Sequence, residues 1–569
     1  MQDLYRCLDE YAPLLLQVIA AVWDARLPDG EWRAQVEGLA ARMSAREAQQ
    51  QVVARLSAPA QEALARLLDQ PEGVPAHRLT LVYGGLRRLG LARLERERPW
   101  LRPESALEEL YYAGLLQRAY GTVGGQHGEI LFVPDPLRGA LLALPHAWPR
   151  DAVQVREAPP LTAGDGRALM EDLLTILVRL RQEPARAPKG LVPPGTAPAL
   201  LAELNLAGRL VGSDQTERLA LIWRLLWRLT LIEEQQGRLR PTLRARDWLR
   251  LGDAQRQASL LGAWRDDPQW DELRLIPTLQ CQETGWQSRP VEARRAVLSV
   301  LQRQPAEAWL DVASLLAYLK RGWPDFMRPD GDFDSWYLRD AATGTYLRGF
   351  GSWDRVEGAA IRHMLATALR WLGVAELGWL RDDPTPTAFR LTAAGQGLLA
   401  AQGARAERAG PRPPTPPATL DDGLHLTIPL ENTLYERYQL ERFAEWQAQG
   451  SEATYLITED SVWRGYNAEI EVEQMLGFLG RITQTQVPEA AQHTLRAWAA
   501  RLGRVTIRRL FILQAQDEDT LAHLRRHERI GPLLGHVLSP RSCVIAEKDV
   551  ETITAELKAL GLWPRLRLA

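Results

Sequence analysis

Lysine is nearly missing from this chain: Lys189, Lys320, Lys548 and Lys558 are the whole set among 569 residues, against 69 lysines and arginines together. Nucleoside-triphosphate chemistry normally sets a lysine against the phosphates. None of these four stands in a Gly-x-x-x-x-Gly-Lys-Ser/Thr run, so the phosphate cradle of a motor is excluded. Cysteine is equally sparse. Cys7, Cys281 and Cys543 lie far apart, which argues against a disulfide framework or a zinc cluster and suits a reducing interior. Long apolar runs are absent too: Leu14 to Trp23 is too short to span a bilayer, and Asp3, Asp9 and Glu10 carry the wrong charge for a secretion signal. A cytoplasmic protein without a membrane span is expected. Nor is there an excess of either charge. With a net charge of -2, any affinity for nucleic acid has to come from local patches.

What is present reads as several folded units, because 569 residues exceed one hydrophobic core. Residues 1–157 form a helical region with a short β element: a helix at Leu110 to Leu116, a Gly-rich turn at Gly121 to Gly128, a strand at Glu129 to Val133, and a helix after Pro134-Asp135. Residues 158–280 contain a Pro-rich stretch, Pro184 to Pro198. They then repeat the block, with a helix through Trp223 and Trp227, strands at Thr230 to Glu233 and Arg238 to Thr242, and a turn at Gly237. Residues 281–410 repeat it again, with a helix from Ile361 to Gly373 and strands Val374 to Leu377 and Phe389 to Thr392. A helix followed by a two-stranded ribbon is how a winged helix reads in sequence, and three occurrences argue for an internal repeat. A stiff Pro-rich linker, residues 411–419, precedes a last unit at 420–569.

That last unit opens with Leu424, Leu426, Ile428 and Leu430 at strand spacing, and Pro429 places the strand at a sheet edge. A helix carrying Leu440, Phe443 and Trp446 is expected next, then a strand at Ala453 to Ile457 and a helix starting at Thr458-Glu459-Asp460-Ser461. Helices through Val472 to Leu479 and Leu495 to Trp498 follow. The chain closes with a strand at Gly503 to Ile507, a helix through Leu521 and Leu524, a strand at Cys543 to Ile545, and a helix from Val550 capped by Gly561. The expected fold class is mainly α with small β elements (α+β): tandem winged helices and then an α/β domain.

The run of "ITEDSVWRGY", "EIEVEQMLGFL", "VPEAAQHTLRAWAARLGRVTI" and "LSPRSCVIAEKDVETITAELKALGLWP" resembles the N-terminal domain of XPB-type DNA helicases and its copy in the winged-helix subunit of TFIIH that clamps XPB. The first three quarters are similar to bacterial helicase-associated proteins at Arg98-Pro99-Trp100, Leu116-Gln117-Arg118-Ala119, Asp354 to Gly358 and Phe389 to Thr392. The resemblance implies an XPB-type helicase as partner. The docking residues would lie on the strand of Leu424, Leu426, Ile428 and Leu430.

Residues able to carry chemistry are few. Asp330, Asp332 and Asp334 alternate as in a calcium loop, but Ser335 and Ala341 hold the places of the loop's glycine and terminal acid. His523 and His527 stand one helical turn apart, yet Leu524 replaces the glutamate of a metalloprotease helix. Neither a metal, a cofactor nor a catalytic nucleophile is expected. Arginines suited to DNA phosphates cluster at Arg238, Arg240, Arg244, Arg246 and Arg250, and at Arg501, Arg504, Arg508 and Arg509. The reading is therefore a non-enzymatic accessory protein that docks an XPB-type helicase and touches DNA or other subunits in repair, transcription or defence against foreign DNA. A stand-alone winged-helix regulator and a cryptic metal-dependent nuclease are the alternatives.

Overall fold

The computed structural model describes residues 3–123, 125–149, 152–186, 204, 210, 215–282, 284–328, 331–381, 385–401, 414–507 and 510–567. Arg508, Arg509, Asp330 and most of the Pro-rich stretch at 184–198 lie outside these residues, as do residues 411–413 of the linker. About 49% of the chain is helix and 15% strand, the strands forming small antiparallel sheets, so the fold is mainly α with small β elements. The chain divides into two compact units. The first is Met1–Ala418 with Ile428–Arg442 and Ala448–Ala453; the second is Thr419–Thr427, Phe443–Gln447 and Thr454–Ala569.

The first unit contains helices leading into a hairpin three times. Near the N-terminus a helix (Ala58–Leu68), a short strand (Val74–Pro75) and three helices (Ala76–Tyr83, Leu91–Glu97 and Ala106–Tyr112) lead into a hairpin, Gln117–Val123 with Gln126–Phe132. Side chains fix the helix starts. The Ser57 and Ser105 hydroxyls accept hydrogen bonds from the amides of Ala60 and Glu108, while Ser57 itself donates to the Glu109 carboxylate. Val74 pairs with Leu131, so the short strand lies beside the second arm of the hairpin. Leu64, Leu67, Leu107, Leu110, Leu115 and Leu131 close the core beneath it.

In the last occurrence the series is Pro290–Leu301, Leu310–Asp311, Val312–Gly322, Glu357–Met364, and the hairpin Ala375–Trp379 with Ala388–Leu391, with the strand Leu338–Asp340 inserted before Glu357–Met364. Again the short strand pairs with the second arm, Leu310 opposite Phe389. In the middle occurrence, helices Ala168–Gln182 and Gln215–Arg228 precede the hairpin Ile232–Gln235 with Arg238–Pro241, and the short strand is reduced to one bridge, Ala185 to Leu239. The middle and last occurrences share one apolar core that includes Trp223, Trp264, Trp353 and Trp371.

Arginine takes part in this core. Arg294, fully buried, donates to the Glu272 carboxylate at 2.9 Å and to the carbonyls of Trp264 and Asp267 at 2.7 and 2.8 Å. A planar guanidinium with five donors can satisfy several backbone acceptors at once, which an ammonium cannot do in that geometry.

The helix Leu434–Leu440 also belongs to the first unit, although it follows the Pro-rich linker, and Leu434 and Tyr438 join its core. Arg437 lies 2.5 Å from Glu171, both side chains being 2% exposed. The Arg181 guanidinium stacks 3.9 Å above the Tyr438 ring, and burial draws its pKa below the usual arginine range. The expected helix through Leu440, Phe443 and Trp446 is thus shorter than the apolar spacing indicates. It ends at Leu440, and Trp446 sits in a strand, Glu445–Gln449.

In the second unit the Thr458 hydroxyl caps the helix Glu459–Asn467 at the amide of Ser461, and helices Val472–Thr483 and Glu489–Ala499 follow. The strand expected at Gly503 to Ile507 is absent; Phe511–Gln514 forms a strand instead, in a sheet of order Phe511–Gln514, Ser542–Ile545, Leu534–Ser539. Val505 and Ile507, whose alternation suggested a strand, are 85% and 97% exposed and unpaired in any sheet. Helices Glu518–Arg526 and Val550–Ala559 cover one face of that sheet through Leu524, Ile553 and Leu557, and Gly561 ends the last helix at φ +76.

Candidate nucleic-acid interface and docking strand

The middle hairpin turns through Gln236 and Gly237, both at positive φ (52 and 74), the two-residue turn whose twist matches paired strands. Its register sets Glu233 opposite Arg240 and Gln235 opposite Arg238, with Leu239 between the two arginines turned into the core at 1% exposure. Arg238 and Arg240 therefore share the outer face. Thr242 then caps the helix Leu243–Leu249 through the Ala245 amide, and that helix carries Arg244 and Arg246, both exposed.

Four arginines predicted from sequence are thereby brought onto one hairpin and the helix after it. Among the described residues none of the four has a carboxylate in ion-pairing range. Arg238 donates to the Pro184 carbonyl at 2.8 Å and Arg244 to the Thr230 hydroxyl at 3.2 Å. Exposed Glu233, Glu234 and Asp247 offset part of the charge. Arg250 is not part of this free set, since its guanidinium stacks 4.6 Å over Tyr435 and donates to its hydroxyl at 2.9 Å.

The second arginine cluster is only partly described. Arg504 is exposed and donates to the Ala500 carbonyl at 3.2 Å; Arg501 pairs with Glu459 at 2.7 Å; Arg508 and Arg509 lie outside the described residues.

The leucine strand differs from its expected position. His425–Pro429 lies inside a four-stranded sheet of order Thr419–Leu420, His425–Pro429, Glu452–Leu456, Glu445–Gln449, so it is not an edge. Leu424 is 4% exposed and Leu426 and Ile428 are 0% exposed. These three side chains are core, and Pro429 stands at the strand's last position, where no further ladder bond is required of it. Leu430, half-buried, offers its carbonyl to Arg167 at 2.5 Å and to the Thr433 hydroxyl at 3.1 Å.

The acidic loop is self-satisfied where it is described. Asp332 accepts from the amides of Asp334 and Ser335, and those bonds lower its pKa; Asp334 accepts from Gly349. No group of three or more His, Cys, Asp or Glu residues able to hold a metal occurs among the described residues, and no described helix is long and apolar enough to cross a membrane.

With the geometry in place, comparison with known proteins adds one finding. Residues 420–539 match the family model of the helicase conserved C-terminal domain. A search of the curated proteins finds no match. The matched stretch contains the strand His425–Pro429 and the helices up to Arg526, and it links the chain to helicase-type folds. It includes no lysine, and hence no phosphate-loop lysine.

Proposed function

We propose that this protein is a non-enzymatic accessory factor that docks an XPB-type DNA helicase and contributes winged-helix contacts to DNA. The observation that carries the reading is a helicase-domain match at 420–539 in a chain without a Gly-x-x-x-x-Gly-Lys-Ser/Thr run. A helicase-type stretch in a sequence that shows no phosphate-loop run is suited to act on another chain's motor.

The winged-helix part is supported by topology. In two of the three occurrences a helix, a short strand and further helices precede the hairpin, with the strand Leu338–Asp340 inserted in the last, and in all three the short segment pairs with the hairpin's second arm. The middle one carries the four exposed arginines, which are placed to meet phosphates without reading bases. The resemblance to the XPB N-terminal domain favours a partner surface on the stretch from residue 420 onward. Since Leu424, Leu426 and Ile428 are buried, that surface would be made by other residues of the stretch, the strand serving as its support.

The test is co-purification. The full chain should hydrolyse no ATP by itself, with or without DNA, and should co-elute with an XPB-type helicase of the same genome. DNA-stimulated turnover that vanishes on mutation of this chain would overturn the non-enzymatic reading.

A further inference from the structure

The tripeptide Tyr-Leu-Arg occurs twice within a few residues, as Tyr337-Leu338-Arg339 and Tyr346-Leu347-Arg348. The two copies form the arms of one hairpin. Arg339 bridges to Tyr346 across the pair, the amide of Leu347 donates to the Leu338 carbonyl at 2.9 Å, and the amide of Asp340 donates to the Thr345 carbonyl at 2.9 Å. Gly344, at φ +68, closes the turn. Strand Leu338–Asp340 is held from the other side by Leu279–Cys281, with Gln280 opposite Arg339.

Alternation does the rest. Leu338 and Leu347 point inward at 0% and 1% exposure, so both tyrosines and both arginines fall on the outer face. Tyr337 and Tyr346 are 40% and 42% exposed, their ring centroids 6.4 Å apart and the rings at 80°. The Arg339 guanidinium lies 4.3 Å over the Tyr346 ring and donates to its hydroxyl at 2.6 Å, and that hydroxyl donates to Gln282 at 3.2 Å. Arg348 sits 4.9 Å from the Tyr346 centroid and 5.9 Å from that of Tyr337.

Neither arginine has an ion-pair partner among the described residues, and Arg339 Nε, shielded from solvent, has no acceptor there either. The nearby carboxylate is already engaged. Asp340 accepts from the amides of Ala342 and Thr343 and from the Thr343 hydroxyl, and it pairs with Arg355; the Thr343 amide and Arg355 pull its pKa down to about 2.

We infer that this double Tyr-Leu-Arg face binds single-stranded nucleic acid. Half-exposed tyrosine rings offer platforms on which unpaired bases stack, and guanidiniums beside them take the phosphates. A duplex fits poorly, because its bases are hidden in a parallel stack and these two rings are nearly perpendicular. The face is made of other residues than the arginine hairpin at 232–241, and its ligand does not depend on whether a helicase docks. The strand a helicase would release has the chemistry it takes.

The test is fluorescence anisotropy of the full chain at low salt with labelled oligothymidine, oligouridine and a duplex of equal length; the first two arms decide between DNA and RNA. The double variant Y337A/Y346A should bind single strands about ten-fold more weakly or worse, with duplex affinity changed less than about two-fold. Y337F should retain wild-type affinity, since stacking needs the ring and not its hydroxyl. R348A, at an exposed position that does not threaten folding, should reduce the salt slope for single strands by about 0.7. Absence of single-strand binding, an unchanged affinity in the folded double variant, equal losses for duplex and single strand, or displacement of the strand by an acidic peptide at equal concentration would each overturn the proposal.

Discussion

At the residue scale the chain's preference for arginine acquires a physical meaning that composition alone did not carry. Arg437 is typical. It follows the Pro-rich linker by some twenty positions, yet it is 2% exposed, meets Glu171 at 2.5 Å and reaches Gln449 at 3.0 Å. Nothing in the local sequence distinguishes it from Arg442 nearby, because its partner lies 266 positions away. Truncating one partner of a buried ion pair leaves the other charge without compensation, so Arg437→Ala should destabilise the first unit by about 3–5 kcal/mol. The double replacement Arg437→Met with Glu171→Leu should recover most of that loss, because apolar groups of similar volume can replace a buried pair at little cost. Urea denaturation followed by fluorescence measures both; a loss under about 1 kcal/mol in the single variant would mean that the pair is solvated.

At the scale of elements, what is legible in sequence depends on length and on local caps. The long helices through Trp223, Val472 and Leu495, the Thr458 cap and the two later hairpins are found, since each has an apolar period or a turn signal within its own few residues, whereas the turn expected at Gly121 to Gly128 is mostly strand, Gly121 pairing with Gly128 and Val123 with Gln126. Strands of three or four residues carry too little pattern. Val505 and Ile507 alternate and form no strand, while the hairpin of Tyr337 and Tyr346 escapes a reading by periodicity, its repeated tripeptide being the available signal. The leucine strand is legible as a strand, but its place inside the sheet is set by Thr419–Leu420 and Glu452–Leu456, which pair with it over a distance that periodicity does not report.

The arginine hairpin is legible from composition, and the structure brings Arg238, Arg240, Arg244 and Arg246 to neighbouring exposed positions. If it meets DNA through phosphates, the triple variant R238A/R240A/R244A should bind duplex more weakly, and the slope of log affinity against log salt should shrink by about 0.9 for each phosphate no longer neutralised. Sequence preference should be unchanged, because no base-reading group is removed. Titrations at several salt concentrations check this; a folded triple variant with an unaltered slope would place DNA elsewhere.

At the scale of the whole molecule, the Pro-rich linker does not mark the limit of the first unit, which includes residues Ile428–Arg442 and Ala448–Ala453 from beyond it. A fragment ending at residue 410 would therefore lack the helix Leu434–Leu440, and partner mapping is better done on the intact chain. The most direct test of the helicase-docking account is hydrogen–deuterium exchange of the full protein alone and with an XPB-type helicase of the same genome. Docking through the helicase-type stretch predicts slower exchange on binding at peptides between residues 454 and 539, with the arginine hairpin at 232–241 unchanged. Protection confined to residues before 418, or no change with the helicase at micromolar concentration, would contradict it.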